Sequence, residues 1–388
     1  MSDAIELTIL MPCLNEAETL ADCIEKARLG IERAGVAGEI LIADNGSKDD
    51  SILIARQLGA RVVAVEKKGY GNALQGGIEA AAGKWILMGD ADQSYDFSEA
   101  HRFVEKLKEG FELVTGCRLP RGGGKVLPGA MPFSHRWVGN PLFSRMARHM
   151  FAAPIHDVYC GLRAFTRRLY DQLELQCEGM EFATEMIIKA SLQKARIAEI
   201  PITLHPDGRK THAPHLRTIR DGWRTLRFFL VFSPRWLFLA PGVALALLGL
   251  AGYVVALPGL HVDGITFDAH TLVFSSLAIL MGYQSVLFAI CAKTFAINEG
   301  LLPRDSLFDQ FFKVMYLERG LALGGFAFLA GLILLAVAVY QWKAVNFGRL
   351  DYAVTMRWVI PGATLAAIGF QTILSSFFVS MLGMKRRP

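Results

Sequence analysis

The distribution of apolar residues changes character once along this chain. Up to about Ser233, short apolar runs alternate with segments of helical period. "IELTILM", "EILIAD", "ARVVAVE" and "KWILMGD" have the length and β-branched content of buried strands. "EAETLADCIEKARLGIERAG", "DDSILIARQLG" and "GNALQGGIEAAAG" read as helices, the last two ending at Gly, a usual helix stop. Strand–helix alternation predicts a mainly parallel sheet covered on both faces, with ligands bound beyond the carboxyl ends of its strands. Beyond Ser233 come four long apolar windows at 236–257, 271–292, 321–342 and 358–384, none containing Asp, Glu, Lys or Arg. Each is long enough to cross a hydrocarbon core of ~30 Å as a helix. A buried helical bundle is the alternative, but four uncharged windows of this length favour membrane spans.

Composition agrees with this division. The chain has 388 residues, 52% of them hydrophobic, and its mean hydropathy of +0.33 reflects the second part. Three regions are expected: an α/β domain over 1–207, an amphipathic juxtamembrane region over 208–235, and a four-helix membrane domain over 236–388. "MSDAIELTILMPCLNE" has neither a basic start nor a small-residue cleavage site, so it does not read as a signal peptide. The α/β domain is therefore expected in the cytosol, attached to a multi-pass cell (inner) membrane protein. An even number of spans returns the C-terminus to the same side, and the final "KRRP" fits the positive-inside rule. Lys343, Arg349 and Arg357, in the predicted outer loop, weaken that orientation. Six scattered cysteines with no C-x-x-C pair read as reduced residues, not as a zinc or disulfide frame.

Polar clusters follow each predicted strand: "PCLNE", "DNGSKDD", "EKKGYGNA" and "DADQS". In the last, Asp90 and Asp92 stand one residue apart. Crowded carboxylates repel unless a cation or a donor-rich ligand lies between them, although a solvated turn or a helix N-cap also uses such residues. No G-x-x-x-x-G-K-[ST] occurs and no G-x-G-x-x-G opens the first crossover, which argues against P-loop and dinucleotide-binding enzymes. Gly69 and Gly71, after Lys67 and Lys68, suit a turn or a phosphate.

"PCLNE", "ADNGSKDDS", "KGYGNALQGG" and "GDADQSYDF", in this order and spacing, resemble the family 2 glycosyltransferases of GT-A fold. Among these the likeness is to polyprenyl-phosphate glycosyltransferases such as dolichol-phosphate glucose and mannose synthases, over residues 5–235. The resemblance implies inverting transfer of a sugar from a nucleotide-diphosphate sugar, UDP slightly favoured, to polyprenyl phosphate. It also implies a Mg²⁺ or Mn²⁺ ion, since a hard cation offsets the charge of the leaving diphosphate. Asp92 is the implied main ligand, with Asp90 on the ribose or the metal shell and Gln93 a doubtful third ligand, because relatives place Gln one residue later. Pro12, Leu14, Asn15, Glu16, Asp44, Ser47, Lys67 and Ala91 would line the nucleotide pocket. Asn15, Ser47 and Asp49 suit helix caps equally well. Arg118 and Arg136 match phosphate-binding positions. Asp157, with Arg163 near it, would orient acceptor or sugar, and Glu185 could hold sugar hydroxyls or be an exposed helix acid. "RLPRGGGKVLPG" is expected to be a mobile loop.

Arg217, Arg220, Arg224 and Arg227 recur at helical spacing, and Leu216, Ile219, Trp223, Leu226 and Leu230 follow the same rhythm. Such a helix lies in the headgroup layer of a bilayer. By resemblance, Arg209, Lys210 and Arg217 would grip the lipid phosphate. A place just before a membrane span makes nucleic acid an unsuitable partner for this basic run. "RDSLFDQFFKVMYLER" reads as a second interfacial helix through Leu307, Phe308, Phe311, Phe312 and Met315. Two other readings compete: a processive polysaccharide synthase of the same fold, disfavoured because no Q-x-x-R-W occurs, and a non-catalytic sensor of nucleotide sugars or lipid-translocation partner. Homo-oligomers are compatible with all three.

Overall fold

The computed structural model describes residues 4–209, 218–262, 265–299, 302, 310 and 317–384. Its contacts divide the chain into two compact units, Met1–Phe229 and Leu230–Pro388.

In the first unit the strands are β1 (Leu7–Cys13), β2 (Gly38–Asp44), β3 (Arg61–Ala64), β4 (Trp85–Met88), β5 (Leu113–Cys117), β6 (Lys125–Val126), β7 (Arg163–Thr166), β8 (Ile197–Pro201) and β9 (Thr203–Leu204). The helices are α1 (Leu20–Ala34), α2 (Ser51–Gln57), α3 (Tyr70–Ala80), α4 (Ala100–Lys108), α5 (Asn140–Phe151), α6 (Arg167–Leu173) and α7 (Phe182–Leu192). Helix α8 (Thr218–Val231) runs to the boundary with the second unit. Seven strands form one sheet in the order β3-β2-β1-β4-β7-β5-β8. All are parallel except β7, which runs against both β4 and β5.

Strand β1 is almost wholly buried because both its faces are covered. Leu7, Ile9 and Met11 join the cluster that includes Leu20 and Ile24 of α1 and Phe103 of α4, while Leu10 meets Gly77 of α3 on the other face. Full burial of Phe103 alone is worth about 2–3 kcal/mol. The register of β1 on β2 places Cys13 beside Asp44, so both strands deliver their loops at one edge.

The expected strands and helices appear, with two local differences. Helix α3 stops at Ala81, which is extended, and Gly83 does not act as a stop. It is needed where the chain passes β1, since a Cβ there would lie 2.6 Å from the Thr8 nitrogen. The glycine triplet is not an open loop either. It forms a short turn at Pro120–Gly122, β6 pairs with β9, and a Cβ on Gly124 would meet the Cys117 carbonyl at 2.1 Å.

The second unit contains a short hairpin, β10 (His261–Val262) with β11 (Ile265–Thr266), and helices α9 (Ala240–Ala256), α10 (Ala269–Asn298), α11 (Leu317–Ala344) and α12 (Tyr352–Gly383). Four helices are long and apolar enough to cross a membrane: Arg235–Ala256, which includes α9, then α10, α11 and α12. They run past the predicted windows: α11 takes in Lys343 and α12 takes in Arg357, leaving Arg349 in the connection. Glycines set the crossings. Gly242 of α9 meets Gly282 of α10, and Gly324 and Gly331 of α11 meet Gly369 and Gly362 of α12. Small residues of this kind let membrane helices approach closely.

Candidate active site

The carboxyl ends of β1, β2 and β4 lie side by side, and the loops that leave them are tied together by short polar side chains. Asp44 accepts from the backbone N–H groups of Gly46 and Ser47, each at 3.0 Å. Asn15, in the left-handed region at φ 60°, donates its backbone N–H to Ser47 Oγ at 3.0 Å. Its side-chain oxygen accepts from Lys48 N–H at 2.8 Å. The Glu16 N–H donates to Ser51 Oγ, and the Ala17 N–H to Asp49. Pro12 ends inside β1, whereas Leu14 is exposed at the rim. These contacts make the two loops one rigid wall.

The third loop is held from below. Asn45 accepts from Gly69 N–H at 2.9 Å and donates to the carbonyls of Val65 and Lys67. Gly69 and Gly71 are glycine because backbone approaches them. A Cβ would lie 2.5 Å from Glu178 O at the first and 2.3 Å from Cys177 O at the second. Lys67 forms an exposed ion pair with Glu178, and Lys68 donates to Asn45 O.

At the end of β4 the two carboxylates differ. Asp90 is half-buried and accepts from Tyr70 Oη at 2.9 Å. Burial, and then the charge of Asp92, push its carboxyl up to about 7. Asp92 accepts from the Ser94 N–H at 3.0 Å and from its hydroxyl. Ala91 between them is buried, and Gln93 takes a left-handed conformation, φ 65°, with its side-chain oxygen against Gly208. Arg209 enters from the far end of the domain. It donates through Nε to Glu16 at 2.8 Å and through Nη2 to the same carboxylate, reaches Asp207 at 3.1 Å, and stands 3.6 Å from Asp92. Four carboxylates, Glu16, Asp90, Asp92 and Asp207, thus surround one guanidinium.

That surplus of negative charge fits a divalent cation. Among the described residues no three acids, imidazoles or thiols converge as a complete metal cage. A pair of carboxylates is what a hard cation needs when substrate phosphates and water supply the other ligands.

A second constellation lies across β7. Arg118, directly after β5, donates from Nε and Nη2 to Asp157 at 2.7 and 2.9 Å, with its own N–H adding a third bond at 3.0 Å. Burial alone would raise the Asp157 carboxyl, but the Arg118 guanidinium holds it below the ordinary carboxylate range. Glu199 of β8 accepts from the N–H groups of His156 and Asp157 at 2.7 and 3.0 Å. Tyr95 Oη accepts from Gly161 N–H at 2.8 Å, and a Cβ on Gly161 would lie 3.0 Å from Asp90. The 157–161 loop therefore abuts the carboxylate pair.

Several expected roles change. Asp157 is fully buried with both oxygens on Arg118, which suits positioning Arg118 more than meeting substrate. Glu185 is neither exposed nor open to a ligand. It is buried, ion-paired with Lys189 at 3.0 Å, and accepts from the N–H groups of Gln176 and Cys177. Arg163 is fully buried and donates to the carbonyls of Cys160, Val158 and Ala183. Arg209, expected on a lipid phosphate, is committed to Glu16 and Asp207. Arg136 lies in a wide turn, His135–Gly139, over the Trp137 ring at 5.2 Å. None of its contacts among the described residues joins it to Arg118 or Asp92. Lys210 and Arg217, the C-terminal "KRRP" and the apolar residues of the second interfacial segment lie outside the described residues. In α8 the buried face is Thr225 and Phe229, with Phe229 between Phe143 and Phe151, whereas Trp223 is 62% exposed. Exposure of Trp223 agrees with an apolar stripe turned away from the domain, while Leu216 and the Ile219 side chain lie outside the described residues. The sequence alone assigned no role to Tyr70, Tyr95, Glu199 or Asp207, although Tyr70 stands inside "KGYGNALQGG" and Tyr95 inside "GDADQSYDF".

Comparison with known proteins fits this arrangement. Residues 8–174 match the family "Glycosyl transferase family 2" and residues 290–383 match "Glycosyltransferase family 2 C-terminal transmembrane region". The low-salt glycan biosynthesis hexosyltransferase Agl6 of Haloferax volcanii is 35% identical over 97% of this chain and 89% of its own. A dolichyl-phosphate hexose transferase of the same organism is 28% identical over 51% of this chain and 82% of its own. Glucosyl-3-phosphoglycerate synthase from Mycobacterium tuberculosis, solved with Mn²⁺ and UDP, is 20% identical, with a TM-score of 0.44 over 58% of this chain and 78% of its own. The similarity to Agl6 runs across both the sheet domain and the apolar helices of this chain. The chain belongs to glycosyltransferase family 2, as an α/β domain with a mainly parallel sheet followed by a transmembrane region.

Proposed function

We propose that this glycosyltransferase moves a single sugar from a nucleotide-diphosphate sugar, with UDP favoured, to polyprenyl phosphate, inverting the anomeric carbon. The observation that carries the reading is the under-compensated pair Asp90 and Asp92 at the end of β4, beside the wall built by Asn15, Asp44 and Ser47. Asp44 and the 14–16 backbone would hold the nucleoside, and Asp92 with Asp90 would hold Mg²⁺ or Mn²⁺ against the diphosphate. When bound, that ion offsets the charge that grows on the leaving oxygen. Arg118, fixed by Asp157, supplies a permanent positive charge on the acceptor side of the carboxylates. A phosphate monoester acceptor is already ionised at neutral pH, so the chain needs no strong general base, and no unpaired histidine or glutamate is required. The dolichyl-phosphate hexose transferase named above supports the acceptor class, and four helices long and apolar enough to cross a membrane support an isoprenoid acceptor. We place the GT-A domain and both termini on the cytosolic face.

The test uses purified protein in detergent, a polyprenyl phosphate and a panel of radiolabelled nucleotide sugars, with and without EDTA. One donor should give a metal-dependent product carrying one sugar. Asp92→Ala should lower turnover about a hundredfold or more. A polymeric product would favour a processive synthase, and no lipid-linked product from any donor would overturn the proposal.

A further inference from the structure

Along α10 one seam stays largely exposed among the described residues, with Phe288 touching the Phe238 ring at 6.0 Å. Phe274, Leu277, Met281, Gln284, Phe288, Cys291 and Phe295 follow one another at spacings of three and four residues. Six of them are exposed and Cys291 is half-buried. The opposite side of α10 packs through Ser275, Gly282 and Tyr283 on α9 and α12. A seam with this rhythm is the geometry by which two helices interlock at a shallow angle.

Lipid could cover the apolar members, but it cannot satisfy Gln284. This residue lies at the middle of a 30-residue span. Among the described residues it is the one exposed carboxamide or charged side chain in the middle third of any of the four spans. It has no hydrogen-bond partner among them. A carboxamide facing hydrocarbon leaves two donor hydrogens and an acceptor oxygen unpaired, which is unfavourable. A second copy inserted in the same sense carries the same group at the same depth. Each amide N–H₂ then donates to the other's oxygen, so the group is complementary to itself.

We propose that α10 is a self-association surface: two copies of this chain pair in parallel along this seam, with the Gln284 side chains hydrogen-bonded across a two-fold axis. Such an interface is isologous, using the same residues from both copies. It also brings the two Cys291 thiols to one level of the seam, two turns beyond Gln284. The inference is independent of the donor and acceptor assigned above.

Full-length protein carrying Cys177→Ala is reconstituted in liposomes and oxidised with copper–phenanthroline. The four remaining cysteines outside α10, Cys13, Cys23, Cys117 and Cys160, are buried. A disulfide-linked dimer is expected, and Cys291→Ala should abolish it. Separately, a lipid-dilution series read by energy transfer gives the association constant. Gln284→Leu, which should insert at least as readily, is expected to lower that constant about 3- to 20-fold. Monomers at every density would overturn the proposal, with lipid or another membrane protein then covering the seam. Dimers indifferent to Gln284→Leu, or dimers that never cross-link through Cys291, would overturn it equally.

Discussion

Replacing Asp90 with Asn should stabilise the metal-free protein while removing activity. In the folded domain the Asp90 carboxyl is raised from the ordinary 3.8 to about 7, by burial first and by Asp92 second. Its folded value lies above its unfolded one. The contribution of this group to stability is therefore fully present below about pH 4 and lost as the pH rises through about 7. At pH 8 the ionised side chain costs the fold about 4 kcal/mol relative to a neutral one. At pH 5 the folded carboxyl is protonated and the residual cost is only about 1–2 kcal/mol. Asn keeps the acceptor oxygen that Tyr70 uses at 2.9 Å and has nearly the same shape. For a domain of this size 1 kcal/mol moves the midpoint by about 2–4 °C. Asp90→Asn should then melt roughly 8–16 °C above the parent at pH 8 and only about 2–8 °C above it at pH 5. The assay is intrinsic tryptophan fluorescence of the full-length protein in EDTA, where Trp85 reports from β4 itself. Adding Mg²⁺ and the donor nucleotide should narrow or reverse the gap, because the parent binds them and the variant does not. A variant that melts no higher than the parent at pH 8, or whose advantage is the same at both pH values, would refute the reasoning.

Glu185→Ala should lower stability by about 3–5 kcal/mol, since it leaves buried Lys189 unpaired; a sugar-binding role would instead raise KM and leave the melting point alone. Arg209→Ala removes the one cation that the described residues place among Glu16, Asp92 and Asp207. Its melting point in EDTA should fall, and Mg²⁺ alone should restore more of it than in the parent. Gly331→Leu in α11 would place a Cβ 2.4 Å from the Ala366 nitrogen. It should prise α11 from α12, seen as a lower melting point in detergent and faster proteolysis of the second unit.

The strands, the spans and the carboxylate pair were legible because each rests on local pattern. A continuous apolar run needs two covered faces, an uncharged window needs no water, and two acids one residue apart after a strand crowd negative charge at one spot. What the sequence did not disclose was who meets whom. Arg209 stands 193 residues from Glu16, so no spacing rule links them, and a basic residue before a membrane span reads naturally as a lipid contact. Glu185 at the start of a helix reads as solvent-exposed. Only the packing of 174–178 against Gly69 and Gly71 turns it inward to satisfy two backbone N–H groups. The glycine triplet misled for a similar reason: glycine permits a loose loop and a tight backbone crossing alike.

The reversal of β7 explains why so much chemistry gathers at one edge of the sheet. In a wholly parallel sheet only the loops that leave the strands reach the ligand edge. Because β7 runs the other way, the segment that enters it also arrives there, with Arg163 paired to Met88 at the end of β4. Asp157 and Gly161 lie on that entering segment, and Arg118 lies on the loop leaving β5, the other neighbour of β7. One reversed strand thus lets a buried anion from its approach meet a buried cation from the next strand's exit, within reach of Asp90. The Arg118–Asp157 pair is enclosed and held by three hydrogen bonds. Desolvation makes such a pair a poor source of net stability, while the loss of either partner leaves a buried charge. Its value lies in direction: Asp157 fixes the guanidinium, and the segment that carries Asp157 reaches Asp90 through Gly161. On the proposed function, the sheet offers a negative pole, Asp90 and Asp92, to a cation and a positive one, the Arg118 guanidinium, to an anion. Two anionic reactants can be told apart by which pole they neutralise.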